Sequence, residues 1–249
     1  MELLRALSAE MLKLKRTLAF WMVGVAPFLV LLLQFVVIWN MAYNMKRYPQ
    51  GFKLWGNVPQ NALSLWGVFM LPLFITLETA LINGLEHGEK QWKHLFALPI
   101  SRSTIYLAKL LTALGIVALS MLIFYVGILL NGFFWQWRVP LMASPDPIPY
   151  LHILKQAALV YLASWLILAF HTWVSMRWPG FALSLGIGIG ATFFSLFAAQ
   201  AKEAKFYPWL LPLNVLSPER FTIAMIMGII GGILVGIVGC WEFTRRDVT

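Results

Sequence analysis

His87 and His94 fall on one face of a helix with Glu86 and Glu89 beside them, and imidazole with carboxylate is a donor set that a hydrolytic zinc could use. The pattern does not complete. There is no H-E-x-x-H, and such a metal needs three fixed ligands and an open position. The same residues make a polar helix instead, because Glu86 with Lys90 and Glu89 with Lys93 are i,i+4 pairs in the favourable order. Nucleophilic catalysis finds no set either: Cys240 is the sole cysteine, Asp146 and Asp247 are the sole aspartates, and neither a Ser-His-Asp nor a Cys-His group can be singled out. Two ionisable residues lie inside apolar runs. Glu78 is the one acid well within such a run, where a carboxylate is expensive and marks either a function or a tie to a neighbouring Arg or Lys. His171 is by default a hydrogen-bonded packing residue, with a proton relay as the sharper option.

Glycine patterns divide in the same way. "GIGIGA" at 186–191 has no strand before it and lies inside an apolar run, which excludes a dinucleotide loop. Gly186 and Gly190, and then Gly228, Gly232 and Gly236, are small-xxx-small spacings that let helices approach closely, within one chain or between two. No G-x-x-x-x-G-K-[ST] phosphate loop occurs, so the chain does not hydrolyse ATP by that route.

The elements that would carry these residues are membrane helices. The 249 residues are 60% hydrophobic and 12% charged, about half the charged share of a soluble domain. Six runs reach the roughly 20 residues that cross a hydrocarbon core: about 17–39, 62–85, 108–133, 156–176, 180–199 and 221–241. They are apolar on all sides rather than alternating, which favours helices over a barrel. The first run is too long for a signal peptide, and no small-residue cleavage site follows it. A formal charge of +9 is spread between the spans, which fits anionic lipid and orientation better than nucleic acid.

With six spans both termini share a side, and the segments on that side hold ten of the 19 Lys and Arg on the shorter total length. The bias predicts cytoplasmic termini. In "MELLRALSAEMLKLKRTL", Leu3, Leu4, Leu7, Met11, Leu14 and Leu18 form one apolar stripe, predicting a helix on the cytoplasmic membrane surface. The outer segments are short and rich in Pro and aromatics, and 200–220 is expected to be a re-entrant or interfacial piece. The chain reads as one all-α membrane domain, 1–249, with no soluble part large enough for a catalytic core.

One polar stretch stands out, "EHGEKQWKHLFALPISRSTIYLAK" at 86–109, between the second and third runs, with Ser103 or Thr104 as the expected N-cap of the third. Glu86, Gly88, Trp92, Lys93, Leu95, Pro99, Arg102 and Lys109 follow a pattern that resembles the permease subunit of a type-2 ABC transporter, most nearly the lantibiotic-immunity or bacitracin-resistance-like branch. The Gly lies farther from the Trp than in that branch. The resemblance implies a six-helix exporter fold in the bacterial cytoplasmic membrane, with 86–103 as a coupling helix that docks on a separate ATPase subunit. Trp92 and Leu95 would then give apolar contact, Lys90, Lys93 and His94 would meet acidic groups, and Pro99 and Arg102 would fix the turn into span three. It further implies two ATPase subunits carrying ATP and Mg, a second permease identical or homologous to this one, and export of an amphipathic peptide antibiotic, drug or lipid. Two rivals use other residues: a membrane-embedded enzyme on Glu78, Glu86, His87 and His171, and an ion-coupled secondary transporter. Against the first, Glu78 lies about 12 Å deeper than Glu86 at 1.5 Å per residue. Against the second, the span centres are almost free of charge.

Overall fold

The computed structural model describes residues 2–15, 17–43, 53–88, 100–139, 147–178 and 180–245, and of 85–88 the backbone alone. Among these residues there is no strand. Six helical stretches are long and apolar enough to cross a membrane: Leu18–Tyr43, Leu54–Gly84, Arg102–Arg138, Tyr150–Arg177, Phe181–Ala198 and Phe221–Arg245. Ahead of them lies α1 (Glu2–Leu14), and α2 (Leu18–Tyr43) is the first span. The second comprises α3 (Leu54–Leu65), a π turn at Trp66–Met70 and α4 (Leu71–Gly88). The third is α5 (Arg102–Arg138), the fourth α6 (Tyr150–Ala163) and α7 (Trp165–Arg177), and the fifth α8 (Phe181–Ala198). Two 3₁₀ turns, Lys202–Phe206 and Pro208–Leu210, and α9 (Leu211–Asn214) lead to the last span, α10 (Phe221–Ile226), a π turn at Met227–Gly231 and α11 (Gly232–Arg245).

Helices reach farther than the apolar runs at the end opposite the termini. There the polar side chains bond one another and so can be helical. Trp55 donates to Gln136 at 2.7 Å, Gln156 to Gln60 at 3.2 Å, and Gln34 to the Val58 carbonyl. With 37 residues, α5 is about 55 Å long and projects beyond a hydrocarbon core of about 30 Å.

The core sits where α2, the second span, α5 and the fourth span meet. Trp66 stacks on Phe124 with ring centroids 4.6 Å apart, and Leu71, Ile75, Val117, Val160 and Leu168 are buried around them. The outward surface stays apolar, with Leu32, Val36, Leu122, Val126, Phe197, Leu234 and Ile237 exposed. In water that surface would aggregate; in lipid it is the required solvent match.

Both π turns hold a glycine at a close main-chain approach. A Cβ on Gly67 would lie 3.0 Å from the Pro212 carbonyl oxygen, so the 208–214 segment seats directly on the second span. Leu210 and Leu211 are fully buried there, and Asn214 bonds the Ala204 carbonyl at 2.9 Å. A Cβ on Gly228 would lie 2.6 Å from Ala163 Cα, at the point where Ser164 breaks the fourth span. The Ser164 hydroxyl donates back to the Tyr161 carbonyl at 2.6 Å, a bond that bends helices.

Candidate functional site at the terminal end of the bundle

The polar stretch between α4 and α5 is bounded by two described helix ends. Glu86 lies in the last turn of α4, described by its backbone alone, while Glu89, Lys90, Trp92, Lys93, His94, Leu95 and Pro99 lie outside the described residues. The far end is fully described. Ser101, rather than Ser103 or Thr104, is the N-cap of α5: its extended backbone lets the hydroxyl accept the Thr104 N–H at 3.2 Å, and the two hydroxyls stand 2.7 Å apart. Thr104 is the third helical residue, whose N–H lacks an intrahelical partner, and so takes that bond.

From this cap two links run to other helices. Arg102 donates to the Thr244 carbonyl in the last turn of α11 at 3.3 Å, satisfying a helix-end acceptor. Two turns farther on, the Lys109 ammonium lies 3.0 Å from Glu10 of α1, and Glu10 also receives Lys13 at 2.7 Å. The Lys109 side chain is 0% exposed and that of Glu10 8%. Burial alone would raise the Glu10 carboxyl, but the charges of Lys109 and Lys13 and their hydrogen bonds hold it below the ordinary carboxylate value.

The reading of α1 from its sequence missed this pair. At 100° per residue Glu10 falls only about 20° beyond Leu3, at the border of the apolar stripe. An acid in that position, with a lysine just inside a membrane span, was the available signal. In the structure Leu14 is buried with Glu10 against α5, while Leu4 and Met11 face outward.

Two further ties close the terminal end. Glu242 of α11 takes Arg177 at 2.9 Å and the Trp173 N–H at 3.3 Å, both from α7. Asn83 of α4 donates to Ser175 of α7 at 2.7 Å. Deeper along the same helices, His171 Nε2 lies 3.2 Å from the Thr76 hydroxyl, and Trp209 meets the imidazole edge-on at 5.7 Å. His171 thus packs in a hydrogen-bonded, aromatic setting. Glu78 is fully buried, and neither carboxylate oxygen has a hydrogen-bond partner among the described residues. Among the described residues no three His, Cys, Asp or Glu side chains come together as a metal site.

Gly228 and Gly232 serve contacts within the chain, against Ala163 and against the Trp165 main chain. Gly236 is different. A Cβ there would meet only Leu110 Cδ2, at 3.4 Å, and the residue lines an apolar groove of about 540 Å³ between α5, α7 and α11.

The described residues thus form a six-span helical bundle braced by charged and polar ties at the end where α4 stops and α5 starts. Residues 6–197, more than half of the chain, match the family model described as ABC-2 family transporter protein. The chain belongs to that family and is the membrane component of an ABC transporter. No curated protein matches the sequence at a significant level.

Proposed function

We propose that the chain is the permease of an ATP-driven exporter in a bacterial cytoplasmic membrane, with both termini cytoplasmic. It pairs with a second permease, identical or homologous, above two copies of a separate ATPase that carries ATP and Mg. The cargo is an amphipathic peptide antibiotic, drug or lipid, in the manner of the lantibiotic-immunity and bacitracin-resistance-like branch. The observation that carries this reading is the family match, whose span includes the whole polar stretch 86–109.

Residues 86–103 act in this reading as the coupling helix. Trp92 and Leu95 enter a groove of the ATPase, Lys90, Lys93 and His94 meet its acidic rim, and Glu86 and Glu89 pair along the helix with Lys90 and Lys93. Pro99 and Arg102 fix the turn into α5. The Arg102 bond to the last turn of α11 and the Ser101 cap support that role, since a displacement at residue 100 would reach α5 and α11 together. The segment 200–220 is a re-entrant piece on the outer side, consistent with the burial of Leu210 and Leu211.

The test is a mild-detergent pull-down of the tagged chain from native membranes, read by mass spectrometry. A P-loop ATPase in stoichiometric amount is expected, and its repeated absence would sink the reading. Trp92→Ala with Leu95→Ala is expected to leave membrane insertion intact and to lower ATPase recovery at least about tenfold, the loss of one or two interface anchors. Unchanged recovery would remove the coupling role from this segment.

A further inference from the structure

We infer that the groove between α5, α7 and α11 binds an anionic phospholipid from the leaflet at the terminal end, one acyl chain along Gly236 and the headgroup between Arg102 and Arg245. The groove runs along α5 from Ser103 to Leu114 and along α11 from Thr244 to Gly232. At 1.5 Å per residue that is about 17 Å, close to half of a hydrocarbon core of about 30 Å. One leaflet's depth of apolar channel opens at the level where a headgroup would lie.

Depth comes from Gly236, whose missing side chain leaves Leu110 as the floor, and the walls are Leu107, Leu168 and Ile237. Ser103, Trp241 and Thr244 line the mouth. Two guanidinium groups touch these mouth residues from outside the lining. Arg102 is tied to the Thr244 carbonyl, and the exposed Arg245 lies 4.3 Å over the Trp241 ring. The neighbouring carboxylate on α11, Glu242, is held by Arg177 and Trp173 on α7. Positive charge at the mouth and an apolar channel behind it select an anionic headgroup with a long chain. The indole of Trp241 beside Arg245 suits the interfacial level.

This inference needs only that the spans lie in a bilayer and does not depend on ATPase coupling, so the two can fail separately. The experiment uses the full chain purified in detergent and offered equal phosphatidylglycerol and phosphatidylcholine. Native mass spectrometry counts bound lipid, and a photoreactive acyl chain maps the contact. Phosphatidylglycerol is expected to be retained over phosphatidylcholine by roughly fivefold or more, the worth of one Arg beside an anionic headgroup. Cross-links are expected on Leu107, Leu110 and Ile237. Gly236→Leu fills the channel and should abolish both, and Arg245→Gln, at an exposed position, should remove the headgroup preference while leaving the fold intact. Equal retention of the two lipids, or cross-links unaffected by Gly236→Leu, would overturn the proposal. So would a cross-link showing a second copy of the chain in the groove, or displacement of the lipid by an amphipathic peptide at equimolar concentration.

Discussion

Lys109 has its whole side chain out of solvent, and Glu10, from a helix almost a hundred residues earlier, is an ion-pair partner for it there. Removing Lys109 takes one of two lysines from the Glu10 carboxylate, and Lys13 still pairs with it. Lys109→Met is therefore expected to destabilise the chain by about 1–3 kcal/mol, and Lys109→Met with Glu10→Met to cost less than the sum of the two single variants. Thermal unfolding in detergent of the three variants reads this, and additive losses would show that the two do not act as a pair. The pH dependence has a fixed sign. Because the Glu10 carboxyl is held below its ordinary value, its contribution is fully present above the unfolded value of about 4.3. It is lost as pH falls through the folded value, so the contribution of Glu10 to the wild-type melting temperature is constant between pH 5 and 7 and falls in more acid solution. Glu78 is the opposite case, a buried acid whose oxygens find no donor among the described residues. Glu78→Gln keeps the shape without the charge and is expected to change stability by less than about 1 kcal/mol. A loss of several degrees in melting temperature would reveal a partner that holds the carboxylate. Neither result could be foreseen from local sequence, because the partner of a buried charge is set by how helices distant in the chain come together.

At the scale of the element, the six spans were legible because each run is apolar on all its faces, a pattern that only lipid accommodates. Their ends were less so. The helices α3 and α6 begin in stretches with Pro59, Gln60 and Gln156 that resemble loops, and they are helical because those polar groups are satisfied across helices. The π turns were not legible either, since no residue pattern at Trp66–Met70 or Met227–Gly231 sets those stretches apart from the rest of their apolar runs. Gly-xxx-Gly spacing announced a close contact in the last span but not which glycine makes it. The structure separates them: a Cβ on Gly232 would stand 2.8 Å from the Trp165 carbonyl carbon, main chain that cannot step aside, whereas one on Gly236 would meet only the tip of Leu110. Gly232→Ala is thus expected to lower stability by about 1–3 kcal/mol through overpacking, and Gly236→Ala to leave it unchanged or slightly raised. Equal melting temperatures for the two variants would contradict the α7–α11 packing.

For the whole molecule, the two ends of the bundle are built differently. At the terminal end, charged and polar ties join α1 to α5, α5 to α11, α11 to α7 and α7 to α4. At the other end α2, α3 and α5 meet through rings, with Phe35 5.0 Å from Trp135 and Trp55 5.4 Å from Phe133, and through uncharged bonds from Gln34 to the Val58 carbonyl and from Trp55 to Gln136. The end that carries the ion pairs also bounds the polar stretch 86–103, and in the proposed coupling role it is the end that receives the push. That assignment requires the braced end to face the ATPase, in the cytoplasm. The sequence argues for this by its excess of Lys and Arg in the shorter segments on that side. With Cys240→Ser as background, a cysteine at the exposed Arg5 and another at the exposed Lys202 report the two sides. A membrane-impermeant maleimide is expected to label the Lys202 position in intact cells and the Arg5 position only in inverted vesicles. The reverse pattern would put the braced end outside, where no ATP is available, and would remove the coupling role from 86–103.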